Sequence, residues 1–377
     1  MRLLLIIGAA LLLVAVACFP SHPQSTFDAA GPVARSQLNL FYVIFWVAVF
    51  VFVVVQGILL YVTIRFRRKP GQDQIPKQTH GNTRLEIAWT IAPAIVLAVV
   101  AVPTVITIFD NARTPDPENA VHVKVTGHQW WFEFEYFTPE EIAKEEADLD
   151  RVGRGEIERA EAYRPEPYVV TANELNVPAG VPVSIVLDSD DVIHSFWIPK
   201  LAGKVDVVPN NRNTMWFQAD EPGTYFGVCA EFCGVAHAQM KFQVIALTEP
   251  SFNGWVASQQ APPAVSMAPV MGLKGCLVCH TVNGPDSPDA QQARMDGFLQ
   301  GDPRYPAPNL THFASRNTFA GGGQDITEAN LREWLEDPDN VKPGNRMAEL
   351  AGAYTDPNQV LKDEDIDALV AYLLSLE

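Results

Sequence analysis

Apolar residues dominate three stretches near the start of the chain, then give way to an alternation of apolar and polar positions. After Arg2 an uncharged run of roughly 15 residues reaches Ala17 and ends in small side chains. It is short of the ~20 residues that cross a bilayer, so residues 1–17 are expected to be a secretory signal. Two longer uncharged runs, Leu40 to Ile64 and Ile87 to Phe109, are each long enough to span, and together predict a transmembrane hairpin over 38–110. Arg65, Arg67, Arg68 and Lys69 follow the first span at once. The positive-inside rule then puts the connecting loop in the cytoplasm and everything after Asp110 on the outer face.

From Val121 the period is two. Val123 and Val125 continue it, and Phe132, Phe134 and Tyr136 alternate with Glu133 and Glu135. Similar runs recur at Val183 to Leu187, Thr214 to Gln218, Thr224 to Val228 and Lys241 to Leu247. They are separated by turn chemistry at Pro178-Ala179-Gly180, Asn210-Asn211 and Glu221-Pro222-Gly223, which predicts an all-β sandwich over 111–256. A charged, helix-favouring stretch at 139–167 interrupts it and reads as a solvated helical insertion. The proline-rich residues 257–270 read as a linker, and 271–377 as a separate all-α module. Its last helix, Glu364 to Leu376, lines up Ile366, Leu369, Val370 and Leu373 on one face.

Composition narrows the class. The chain has 377 residues, 48% hydrophobic and 19% charged, with a formal net charge of −17, which describes a folded, partly membrane-embedded protein. Nucleic-acid binding is excluded, because it needs clustered cations to displace counterions. Acidity suits a basic partner, or serves solubility alone. The five cysteines, Cys18, Cys229, Cys233, Cys276 and Cys279, each sit in a short context of their own and leave no evident pair for a structural disulfide. Cys18 follows V-A-V-A and so resembles the acylated cysteine of a bacterial lipoprotein, although Ala15 stands where that signal usually has leucine.

Candidate chemistry concentrates between Val228 and Met240, V-C-A-E-F-C-G-V-A-H-A-Q-M. Cys229, Cys233, His237 and Met240 form a soft donor set that favours copper over magnesium, calcium or manganese. His194, in D-V-I-H-S-F-W, is placed just past a strand, where a second imidazole could reach the same loop. One copper needs a single thiolate and two histidines, so a second close thiolate means either a disulfide or a two-metal centre. In the helical module Cys276, Cys279 and His280 form C-x-x-C-H, in which two thiols add to haem vinyl groups and the histidine meets the iron. Met347, in P-G-N-R-M, is the candidate second axial ligand. Met295, His312, Met267 and Met271 are less well placed.

His194 with C-x-E-x-C-x-x-x-H-x-x-M resembles the binuclear copper domain, a cupredoxin sandwich, of cytochrome c oxidase subunit II over roughly Leu40 to Val256. The resemblance implies that Cys229 and Cys233 bridge two coppers, that His194 and His237 bind one each, that Met240 is a weak ligand and that Glu231 ligates through its carbonyl. It also implies a magnesium or manganese ion facing the Glu231 side chain at the interface with subunit I. G-H-Q-W-W-F-E-F-E-Y resembles the family's aromatic run, which makes Trp130 the surface point at which electrons enter; Phe132 stands where the third tryptophan is usual. Glu86, in R-L-E-I-A-W-T-I-A-P, matches the glutamate at the mouth of a proton path.

The helical module resembles a class I cytochrome c, so the whole is similar to subunit II of caa3-type oxidases. That implies an external cytochrome c or membrane donor, covalent haem c, oxidase subunit I as partner, and a bacterial inner membrane with both modules on the outer, periplasmic face. Oxygen reduction and proton pumping would then take place in subunit I, since nothing here resembles the haem–copper catalytic site. The rivals are a membrane nitric oxide reductase subunit and a copper-delivery protein. The latter class also uses C-x-x-x-C with a distant histidine, but sits on a thioredoxin-like fold and lacks Met240 and the haem module.

Overall fold

The computed structural model describes residues 22–68, 71, 78, 80–113, 115–158, 161–263, 265–282 and 307–377. The signal expected at 1–17, Cys18, Lys69 and Met295 lie outside them. The chain divides into two compact units, one of which is Arg35–Arg113.

Within that unit two helices run antiparallel, α1 (Pro32–Arg65) and α2 (Thr83–Ala112), of 34 and 30 residues, both apolar enough to cross a membrane. Ser36 Oγ donates to Asn111 Oδ1 at 2.9 Å where their ends meet. Asn82 caps α2 by accepting from the Arg84 and Leu85 amides, and Glu86 Oε1 accepts from the Asn82 amide at 3.1 Å. Glu86 therefore closes the first turn of its own helix.

The other unit begins with a two-sheet sandwich. Its strands are β1 (Val121–His128), β2 (Trp131–Phe137), β3 (Val169–Ala172), β4 (Glu174–Pro178), β5 (Val183–Ser189), β6 (His194–Trp197), β7 (Val205–Val207), β8 (Asn213–Phe217), β9 (Gly223–Cys229) and β10 (Lys241–Leu247). One sheet has the order β3-β2-β1-β5-β8 and the other β4-β10-β9-β6-β7. Between them Phe196 stacks on Phe242 with ring centroids 4.3 Å apart, and Phe132 meets Phe242 and Phe196 edge-on at 5.1 and 5.7 Å. Burying each such ring stabilises the sandwich by roughly 1.5–3 kcal/mol.

Two local expectations change, and two strands appear that none of the alternating runs announced. His194 is not past a strand but opens β6, hydrogen-bonded to β7 and β9. Every residue of β3 and β4 is buried, so neither shows the alternation that marks a strand with one wet face. The stretch expected to be a linker from 257 begins inside a helix, α4 (Glu249–Gln260). The insertion is helical over α3 (Pro139–Gly153), capped by Thr138 and tied to the sandwich by the Arg212–Glu145 ion pair at 2.8 Å.

The helical module follows with α5 (Pro269–Leu273), a one-turn 3-10 segment at Cys276–Val278, a short ribbon of β11 (Thr318–Phe319) and β12 (Gln324–Asp325), then α6 (Glu328–Glu336), α7 (Pro338–Val341), α8 (Arg346–Leu350), α9 (Gly352–Thr355) and α10 (Asp363–Leu373). Its own core gathers Met271, Phe313, Leu331, Leu335, Ile366, Leu369, Val370 and Leu373.

Candidate metal centre and haem cleft

The loop between β9 and β10 carries the soft donors, and backbone hydrogen bonds close it on both sides. The Cys229 amide donates to the Met240 carbonyl at 3.0 Å, and the Ala230 amide to the Ser195 carbonyl on β6 at 2.9 Å. This brings residues of one loop onto the start of β6. The Cys229 and Cys233 sulfurs are unbonded, 3.7 Å apart. His194 Nδ1 lies 4.0 Å from the Cys229 sulfur and His237 Nδ1 3.5 Å from that of Cys233. The Met240 sulfur is 3.8 Å from Cys233, and the Glu231 carbonyl oxygen 3.2 Å from Cys229. The Glu231 side chain points to the rim, with Lys204 Nζ 3.8 Å away.

These donors suit a soft metal such as copper: two sulfurs, two imidazoles, a thioether and a carbonyl converge, and a single ion would leave one thiolate buried and unused. The thiols also help one another ionise. The hydrogen bond from the Cys233 thiol lowers the Cys229 pKa, and the resulting thiolate drives the Cys233 pKa up. The pair thus sheds one proton readily and holds the second until a cation arrives.

Two outer residues escaped sequence reasoning. Asp191 Oδ1 sits 2.8 Å from His194 Nε2, fixing the ring so that Nδ1 faces the sulfurs. Burial pulls the His194 pKa down, yet the hydrogen bonds to Asp191 and Cys229 leave it raised. Gln129 Nε2 donates to the Cys233 carbonyl at 2.7 Å, alongside Trp130 Nε1 at 3.0 Å. The D-x-x-H spacing was the one available signal for Asp191. Gly127 matters for a different reason: a Cβ there would come within 2.8 Å of the His194 ring. Asp191→Asn is expected to weaken copper binding about 10- to 100-fold, read by competitive chelation, while the fold stays intact by circular dichroism.

Trp130 is not on an open surface. It is 7% exposed, and the helical module covers it. Trp130 and Trp131 form one wall of a cleft of about 1420 Å³, measured out to its open mouth, whose other walls carry Cys276, Cys279, His280 and Met347. His280 Nδ1 is 2.8 Å from the Pro308 carbonyl, leaving Nε2 for the cleft, and burial lowers its pKa toward the neutral ring a metal needs. Arg316 lines the same cleft. Its Nη2 donates to the Asn309 carbonyl at 2.6 Å, but its buried Nε has no partner among the described residues. Haem, whose propionates pair with guanidinium groups, suits such a wall.

The other axial candidates separate by geometry. Both His312 nitrogens lie against carbonyls, those of Glu377 and Ala261, at 2.8 and 3.0 Å. Met267 is not on the cleft wall, while Met271 is on it and also part of the module core.

A two-helix anchor, a sandwich bearing a soft-donor cluster and a module with a C-x-x-C-H turn define a membrane-bound electron-transfer protein. The family described as "Cytochrome C oxidase subunit II, transmembrane domain" matches residues 20–106, the periplasmic domain of the same subunit matches 121–247, and "Cytochrome c" matches 268–377. The chain is similar to cytochrome c oxidase subunit 2 of Alkalihalophilus pseudofirmus, with 36% identity over 96% of this chain and 93% of that protein. It is also similar to cytochrome c oxidase subunit 2 of a Bacillus species, strain PS3 (36% identity over 83% and 80%), and of Bacillus subtilis (33% over 94% and 92%). The chain belongs to the cytochrome c oxidase subunit II family, and is thereby part of an oxidoreductase complex. The periplasmic domain implies copper and the cytochrome c domain haem. The two-sheet sandwich has no place in the thioredoxin-like reading of a copper-delivery protein.

Proposed function

We propose that this chain is the subunit at which electrons enter a bacterial caa3-type terminal oxidase. Electrons from cytochrome c would pass through a covalent haem c and a binuclear copper centre to haem in subunit I, where oxygen is reduced to water and protons are pumped. Cys276 and Cys279 would hold the haem covalently, and His280 and Met347 would bind its iron. His194, Cys229, the Glu231 carbonyl, Cys233, His237 and Met240 would hold the two coppers. When bound, these groups supply one-electron redox chemistry that needs no proton.

The protein's own part is to hold donors still. Asp191 fixes the His194 ring, the Pro308 carbonyl fixes His280, and Gln129 and Trp130 pin the Cys233 carbonyl. The Phe132, Phe196 and Phe242 cluster keeps water from the buried side of the loop. Rigid donors leave little to reorganise when charge arrives. Glu86, in the first turn of α2, would stand at the mouth of a proton path, and the Glu231 carboxylate would face magnesium or manganese at the subunit I interface. The modules would lie outside the inner membrane, anchored by α1 and α2.

The observation that carries the copper reading is the arrangement of the sulfurs, 3.7 Å apart and each beside an imidazole of its own. Purification from the native membrane tests the wider reading. Subunit I and oxygen consumption should copurify, whereas nitric oxide reduction without oxygen uptake would move the chain to the rival reductase.

A further inference from the structure

Two ionisable side chains outside the candidate ligand sets, one of them (Lys342) also on the cleft wall, are buried at the seam between the sandwich and the haem module, and each belongs to one module but bonds to the other. Glu174, on β4 of the sandwich, is 2% exposed. Its Oε1 accepts from the Asn317 and Thr318 amides at 2.8 and 2.7 Å and from Thr318 Oγ1 at 2.9 Å. Lys342, just past α7 of the haem module, is 4% exposed. Its Nζ donates to the Trp130 carbonyl of the sandwich at 2.5 Å and to the Ala320 carbonyl at 3.1 Å.

Neither placement comes free. A buried carboxylate and a buried ammonium are each costly unless hydrogen-bonded, and burial, partly offset by the nearby Cys233, brings the Lys342 amine down to about 7. Apolar residues would fill the seam more cheaply but would fix no register. Glycine keeps the surfaces close. At Gly321 (φ +74°) a Cβ would meet Lys342 Nζ and the Trp130 carbonyl, and at Gly322 (φ +71°) it would lie 2.7 Å from the Lys241 carbonyl. The Lys241 amide in turn donates to the Gly321 carbonyl at 2.8 Å. The segment from Asn317 to Gly321 is therefore held by Glu174 at one end and by Lys342 and Lys241 at the other. Phe319 and Ala320, between those holds, line the same cleft as Trp130.

We propose that Glu174 and Lys342 are positioning residues, a reciprocal lock that holds the haem cleft closed on Trp130. The inference rests on the haem and copper reading above. It gives Trp130 a second use: its indole N–H holds the Cys233 carbonyl while its own carbonyl is held by the haem module.

The full chain, purified with its cofactors, tests the lock in three variants: Glu174→Ala, Lys342→Met and the conservative Glu174→Gln, whose amide oxygen still accepts from both backbone amides. Hydrogen exchange followed by mass spectrometry should rise at least tenfold at Lys241 and at Thr318 to Gly321 in the first two variants and stay near wild type in the third. Electron transfer from haem to copper after flash reduction should fall at least tenfold in the same two, with haem and copper spectra unchanged. Unaltered exchange and transfer in Lys342→Met would overturn the lock, as would slower transfer with unaltered exchange. Should Glu174→Ala fail to accumulate, Lys342→Met reads the same two quantities. A wild-type chain lacking the haem or copper spectra would overturn the functional reading instead, and exchange would still decide the lock.

Discussion

Cys233→Ser is expected to reduce the copper content of the purified chain to one ion or fewer and to abolish any signal shared between two copper nuclei. Cys233 is the hub of the cluster. Its sulfur lies within 4 Å of Cys229, His237 and Met240, and its carbonyl takes hydrogen bonds from Gln129 and Trp130. Serine keeps the carbonyl and roughly the volume but replaces a soft donor with a hard one. Its hydroxyl can still donate to the Cys229 sulfur, so the Cys229 pKa should stay below the ordinary thiol range in the copper-free variant. Metal analysis and the pH dependence of Cys229 alkylation read the two effects separately. Two coppers per chain would remove Cys233 from the centre.

Met347→Ala is expected to keep haem attached through Cys276 and Cys279 but to lose the low-spin, methionine-ligated spectrum. The haem potential should fall by a sizeable fraction of the ~0.8 V range that axial ligands span. Among the described residues the other candidates are engaged: both His312 nitrogens lie against carbonyls, those of Glu377 and Ala261, and Met271, on the cleft wall, is 2% exposed in the module core. A variant spectrum identical to wild type would assign the ligand elsewhere.

What the sequence made legible was local. The candidate donors from Cys229 to Met240 span twelve positions on one hairpin, so spacing alone drew attention to them, and C-x-x-C-H is more compact still. His194 lies 35 positions from Cys229 and was within reach because a strand fragment carried it. Strands with one wet face announced themselves by alternation, as β5 does with its strictly alternating burial. β3 and β4 did not, because both of their faces are covered.

Apart from Asp191, which stands three positions before His194, the missed residues share one cause: their partners are far along the chain. Lys342 and Trp130 are 212 positions apart, Glu174 and Thr318 144, and Gln129 and Cys233 104. No periodicity or spacing rule reaches that distance. In sequence Glu174 is one more acidic residue of a chain with net charge −17 and Lys342 one more base in a loop. The same limit explains Trp130, whose aromatic run resembles a surface site but which the haem module buries.

Electron spin resonance of the oxidised full chain, taken with its copper-to-protein ratio, tests the central claim most directly. The account predicts two coppers per chain and one unpaired electron shared equally over both nuclei. One copper per chain with a single-nucleus pattern would contradict it.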